Sequence, residues 1–437
     1  LTGIIRYVLL AAVLAFPSLS TAGPDTVLSA NSRSIAVVTA YNRAGEPLTA
    51  GSGFVAGEGL IVTNYHVIGI AKSIKVSLGG RNVEVRGVVY GDRENDIVVL
   101  KTDAKDMRTV RLAASGSLRP GEKVYVISGS EGPGAAIHEG TFKGTKTVIH
   151  GKKALEIKAS ITYGSSGSAV FNAEGEVVGI VTFSIDRGTP LVWAMPAELI
   201  RDGLRANRKI KSVNTIIKEY GSTPEYWFYL GYFLLEAGAP GDAAGVLREA
   251  VRMKSGYADA YYYLAAAYEK LNRNKEAEAA YRKAVKTAPD FADAHFRLGV
   301  LLGKEGRFSE SVTSLKEAVR HAPEFPNAYY SMGIACGKLG RQADSIEAYK
   351  KAVLLKPDFE DAYFNLGVAY QKSGAYRESA ASFETLVRLR PDSAEGHYNL
   401  GLLYLVLKNK SSALESYKVL KGLNRGLAGK LLDLINK

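Results

Sequence analysis

The sequence contains a single cysteine, Cys336, so no internal disulfide can form and the fold must hold by packing alone. Cys336 falls at an apolar position of a repeat described below and reads as a small buried hydrophobe. Histidine is also scarce, six residues in all, and no His/Cys grouping has metal-ligand spacing. Neither a metal nor any other cofactor is expected. No block of like charge is present. The net charge of +12 is spread along the chain, which argues against a nucleic-acid partner. No apolar run reaches the roughly 20 residues that a membrane-spanning helix needs.

A shorter apolar run, "YVLLAAVLAF" (7–16), follows Arg6 and precedes "PSLSTAG". Positive charge, short apolar stretch and small residues form the layout of a secretory signal peptide over 1–22, cut after Ala22. The alternative is a leader kept as an N-terminal anchor. A cut leader implies an exported protein, periplasmic or secreted, with no stable membrane span afterwards.

A chain of 437 residues is too long for one hydrophobic core. Its two halves follow different patterns. Residues 25–200 carry short Val/Ile-rich runs such as "SIAVVTA", "GLIVTNYHVI", "DIVVLK" and "EVVGIVTF", separated by Gly-containing turns. That pattern predicts an all-β domain, long enough for two small barrels over about 25–112 and 113–200. The segment 201–222 is basic and weakly periodic, and reads as a helical linker.

From 223 the chain repeats every 34 residues. Leu230, Leu264, Leu298, Met332, Leu366 and Leu400 share one position, and Gly or Ala follows each. Pro289, Pro323, Pro357 and Pro391 keep the same period. This is the tetratricopeptide (TPR) pattern of two helices per repeat, and six repeats fill 223–426. "LAGKLLDLINK" (427–437) reads as a capping helix with Leu427, Leu431, Leu434 and Ile435 on one face. An all-α solenoid of this kind has a concave groove suited to a protein or peptide partner. Phe228, Tyr262, Phe296, Tyr330, Phe364 and Tyr398 occupy one periodic position. Two readings stay open for them: groove lining, or packing between repeats.

The stretch "ITYGSSGSAVF" (161–171) sets serines among glycines. A serine hydroxyl needs a neutral imidazole as base, a carboxylate to orient that base, and backbone N–H groups for the oxyanion. The β half has three histidines. His138 and His150 lie in polar, Gly/Lys-rich stretches that read as exposed loops; His66 ends an apolar strand. Asp96 leads into the apolar run "DIVVLK", where an unpaired carboxylate would be costly.

These segments resemble a trypsin-like serine protease of the chymotrypsin fold, in particular the bacterial HtrA/Deg type. "GSGFV…GLIVTNYHVI" resembles that family's histidine segment and "DIVVLK" its aspartate segment. "ASITYGSSGSAVFNAEGEVVGIVT" resembles its serine segment. The resemblance implies a catalytic triad of His66, Asp96 and Ser166, with Gly164 and Ser166 giving the oxyanion N–H groups. Ser160 and Ser165 are rival nucleophiles but lack the following glycine turn. It also implies a substrate pocket at Ser160, Thr182 and Phe183. No acidic residue stands at Ser160, so a preference for Lys or Arg is not expected; a small or medium apolar residue is. HtrA relatives often form trimers, so a homo-oligomer is allowed. Repeats replace the PDZ domains that usually follow such a protease. The function expected is an exported serine endopeptidase with protein or peptide substrates and a TPR-bound partner. The alternative is a TPR scaffold or chaperone-like adaptor whose protease domain is inactive or self-inhibited.

Overall fold

The computed structural model describes residues 23–436, except 43, 115, 130–133, 149–151, 162–163, 187–189 and 206–208, and except the side chains of 147, 148, 152 and 183–186. The leader expected over 1–22 and His150 therefore lie outside the described residues.

A short helix, α1 (Pro24–Asn31), opens the described chain and buries Val27. Seven strands follow: β1 (Ile35–Tyr41), β2 (Pro47–Gly57), β3 (Leu60–Asn64), β4 (Ser73–Leu78), β5 (Arg81–Val83), β6 (Val85–Asp92) and β7 (Ile97–Thr102). They form one sheet in the order β5-β4-β1-β2-β3-β7-β6. The one-turn helix α2 (Tyr65–Gly69) leaves the end of β3. A second sheet contains β8 (Arg111–Leu112), β9 (Lys123–Ser128), β10 (Ala136–Val148), β11 (Lys152–Lys158), β12 (Ala169–Phe171), β13 (Glu176–Asp186) and β14 (Pro190–Pro196). Here β12 pairs with both β9 and β13, which closes six strands into a barrel. Residues 111–112 pair with β13 and so belong to the second sheet.

The strands form because their β-branched residues fit a pleated surface with one or both faces buried. In β7, five of six residues are buried, which matches the unbroken run "IVVL". Phe54, Val62, Ile97 and Val99 of the first sheet share a core cluster with Tyr125, Ile127, Phe171 and Ile180 of the second. Each such side chain contributes about 1.5–3 kcal/mol by leaving water. The two β units are therefore fused along a hydrophobic seam.

The segment 201–222, expected as a helical linker, takes in the end of α3 (Ala197–Arg205) and all of α4 (Val213–Tyr220), and it is docked on the first β unit. Lys211, just before α4, exchanges backbone hydrogen bonds with Val88 of β6 at 2.8 and 2.9 Å. Ile216 and Tyr220 of α4 are buried in the same core as Tyr65, Ile68 and Val88 of the first sheet unit.

Six helix pairs follow: α5 (Pro224–Glu236) with α6 (Pro240–Met253), α7 (Ala258–Lys270) with α8 (Asn274–Thr287), and α9 (Ala292–Lys304) with α10 (Phe308–His321). Then come α11 (Pro326–Lys338) with α12 (Gln342–Leu355), α13 (Glu360–Lys372) with α14 (Tyr376–Leu389), and α15 (Ala394–Val406) with α16 (Lys410–Leu423). The periodic small residue has a steric cause. A Cβ at Gly231, Gly299, Gly333 or Gly367 would lie 2.4–2.7 Å from the side chain of Leu247, Leu315, Tyr349 or Phe383 in the second helix of the same repeat. The small residue lets the two helices approach around that large side chain.

The last helix, α17 (Arg425–Ile435), buries Ala428, Leu431 and Ile435. Leu434 is exposed, contrary to the expected four-residue face. A helix turns about 100° per residue, so Ile435 and Leu434 cannot both point fully inward, and Ala428 shares the inner face instead. Cys336 is buried, and burial pushes its thiol pKa up.

Candidate active site

The register of β3 against β7 pairs Asn64 with Ile97. The residues that leave β3 and enter β7 are thereby brought side by side. Asp96 takes a left-handed backbone conformation, φ 58°, in which its carbonyl accepts from the Tyr65 N–H at 3.2 Å and the Asn64 side-chain amide at 2.9 Å. Aspartate tolerates that conformation better than most residues. Its carboxylate then holds His66 twice. Oδ1 accepts from the His66 backbone N–H at 2.9 Å, and Oδ2 lies 2.6 Å from Nδ1. A carboxylate can only accept, so Nδ1 donates and Nε2 is left as the basic nitrogen. Both side chains are buried, which explains why Asp96 is tolerated at the mouth of an apolar strand.

Ser166 lies in the loop between β11 and β12. That loop is pinned across the seam: the Ser52 N–H of β2 donates to the Ser166 carbonyl at 2.7 Å, and the Gly167 N–H donates to the Val181 carbonyl of β13 at 2.9 Å. Gly167 has φ 85°, and a Cβ there would sit 2.0 Å from the Ser52 carbonyl oxygen, so both conformation and space require glycine. Gly164 also has positive φ, 92°. The Ser166 Oγ donates to the Thr182 carbonyl at 3.5 Å, and no hydrogen bond joins it to His66.

The expected pocket residues divide. Thr182 is buried beside Ser166, Ser160 is exposed, and the side chain of Phe183 lies outside the described residues. Ser165 is buried. His138 sits on β10, half-buried, rather than in an exposed loop; strand pairing of β10 with β9 overrides the polar composition around it. Among the described residues no cluster of His, Cys, Asp or Glu could hold a metal ion.

Four of the six periodic rings of the solenoid meet a ring at the start of the next repeat. Phe228 meets Tyr257, Tyr262 meets Phe291, Phe296 meets Phe325 and Tyr330 meets Phe359, with ring centroids 4.7–5.1 Å apart. Phe364 lies against Phe383, and Tyr398 packs in the cluster that includes Leu427.

Two other rings stand at the site. Tyr229 of α5 stacks on the His66 imidazole, with centroids 4.5 Å apart and planes at 16°. Phe233, one turn on, is 5.8 Å away. Burial pushes the Tyr229 hydroxyl pKa well up, and the Asp96 charge adds to the effect, so the ring stays neutral. Neither ring is marked by the 34-residue period. The signal available was density: α5 holds Tyr226, Trp227, Phe228, Tyr229, Tyr232 and Phe233 within 13 residues, against one such ring in α9.

A carboxylate-bound imidazole on the first β unit and a glycine-flanked serine loop on the second lie along the seam between the two units. The trypsin-like peptidase domain family matches residues 51–180, and tetratricopeptide repeat families match 234–297, 292–325, 335–374 and 364–428. The chain is 33% identical over 187 residues to serine protease HTRA1B of Danio rerio, covering 40% of this chain and 38% of the relative. It is 30% identical over 175 residues to a probable periplasmic serine endoprotease DegP-like of Pseudomonas fulva, covering 38% and 36%. Anti-sigma-I factor RsgI9 of Acetivibrio thermocellus is 31% identical over 175 residues, covering 39% and 24%. The chain thus spans between about a quarter and two fifths of these relatives' length. The chain carries a trypsin-like peptidase domain followed by tetratricopeptide repeats, and its peptidase part is similar to HtrA-type serine proteases.

Proposed function

We propose that the protein is an exported serine endopeptidase whose repeats bind a substrate, partner or regulator protein. The observation that carries this reading is the doubly held His66–Asp96 pair, at 2.9 and 2.6 Å, beside a pinned Ser166 loop. In the reaction, Nε2 of His66 takes the Ser166 proton as Oγ attacks a peptide carbonyl. Asp96 keeps the proton on Nδ1 and stabilises the imidazolium. The Gly164 and Ser166 N–H groups receive the oxyanion. His66 then protonates the leaving amine, and water releases the acyl-enzyme by the same route. No step needs a metal or cofactor.

Export is supported by the leader-like segment 1–22 and by the periplasmic description of the DegP-like relative. Among the described residues no helix is long and apolar enough to cross a membrane. Cell fractionation that recovers the protein from the cytoplasm alone would count against it.

The test is prolonged incubation of the full chain with a fluorophosphonate probe, with peptide mapping of the adduct. Labelling on Ser166 that disappears in Ser166→Ala supports the peptidase. Its absence, in the full chain and in the Tyr229→Ala/Phe233→Ala variant, would favour the adaptor reading.

A further inference from the structure

The imidazole that must exchange protons with a substrate is covered by another part of the same chain. His66 is 1% exposed. One edge is committed to Asp96, and a face is occupied by Tyr229 in near-parallel contact at 4.5 Å, with Phe233 beside it. Rings at that separation are in van der Waals contact, so no substrate group fits between them. The Ser166 hydroxyl meanwhile engages the Thr182 carbonyl rather than His66.

The cover is anchored on both sides of the site. The Tyr220 ring lies against Gly69, at the end of the helix that carries His66, so closely that a Cβ there would be 2.1 Å from it. Tyr65 packs on Tyr220 at 4.7 Å, and Tyr220 on Tyr226 of α5 at 6.2 Å. The turn between α10 and α11 reaches the second β unit, where Glu324 pairs with Lys143 of β10 at 3.1 Å. The solenoid therefore touches both β units.

We propose that the first tetratricopeptide helix is a built-in occupant of the peptidase site: Tyr229 and Phe233 cap His66 and hold the enzyme latent until α5 is displaced. This rests on the peptidase reading. The cap acts by exclusion. Leaving-group protonation by Nε2 needs a substrate beside the imidazole, which lies buried with Tyr229 stacked on its face and Phe233 5.8 Å away. An enzyme whose site is open for only a fraction of the time loses apparent reactivity by that fraction.

The test compares the full chain with its Tyr229→Ala/Phe233→Ala variant by two readouts. The first is modification of His66 by diethyl pyrocarbonate, located by peptide mapping, which needs no peptidase activity. The second is the rate at which the fluorophosphonate probe labels Ser166. The expected result is that His66 resists modification in the unaltered chain and reacts in the variant, while labelling accelerates about tenfold or more. Should the double variant fail to fold, Tyr229→Leu removes the stacked ring while keeping an apolar side chain and carries the same comparison. Equal modification of His66 in both proteins overturns the cap, as does unchanged or slower labelling of the variant. If His66 becomes reactive but Ser166 labels in neither protein, the peptidase reading falls and the inhibitory role falls with it.

Discussion

At the scale of single residues, Asp96 has two separable tasks. Its carboxylate orients His66, and its backbone holds φ 58°. Asp96→Asn keeps a residue suited to that conformation but replaces an acceptor with an amide. A fall of about 10⁴-fold in kcat is expected, with little change in melting temperature. Asp96→Val is expected to lose activity and stability together, since a β-branched residue strains at positive φ. Peptide hydrolysis in the Tyr229→Ala/Phe233→Ala background, and thermal melts of the two variants, separate these effects. The pairing of His66 with Asp96 was legible in the sequence because each stands in a segment with its own local grammar. Tyr229 and Phe233 were not, because what gives them meaning is a histidine in the other half of the chain.

At the scale of elements, the helices of the solenoid were readable because each repeat poses the same steric problem. Gly231 and its equivalents must make room for one large side chain. The docking of α4 was not readable. Its weak periodicity predicts a helix but not that Tyr220 would be fully buried against α2. Tyr220→Ala is expected to cost about 3–5 kcal/mol in urea unfolding, the range for deleting a large core side chain. A cost below 1 kcal/mol would mean that the helix is not docked in solution.

Acid should act on the middle of the solenoid. Arg307 and then Arg282 hydrogen-bond Glu310 and lower its pKa from 4.5 to about 2; Glu278, held by the same two arginines, is also lowered. Depressed carboxylate pKa values contribute stability above the unfolded-state value. That contribution fades as pH falls from 4.5 towards 2. Melting temperature should drop across that window, and Arg307→Met should flatten the drop. An unchanged slope in the variant would remove the cluster as its source.

At the scale of the whole molecule, the two halves share hydrophobic core rather than a flexible joint. Tyr226 and Tyr229 of the first repeat pack on the same cluster as Val38, Ile61 and Leu100 of the first sheet. The sequence marks the change from β to α near 200, and composition alone makes the intervening basic segment look like a spacer. Two tryptophans, Trp193 in β14 and Trp227 in α5, report the two halves separately. With Trp193→Phe and Trp227→Phe as single-tryptophan proteins, the fluorescence transitions in urea should share one midpoint. Separate midpoints would mean that the first repeat opens independently of the peptidase domain.

The lone, buried Cys336 has a consequence in spectroscopic terms. A buried thiol whose pKa is raised reacts slowly with maleimides and with spin labels. Cysteines added in pairs, one on exposed Ser117 of the peptidase domain and one on exposed Ser411 of the sixth repeat, would carry the dyes almost alone. The chain comes with a dark background, and the distance between its two halves can be followed in real time, one molecule at a time.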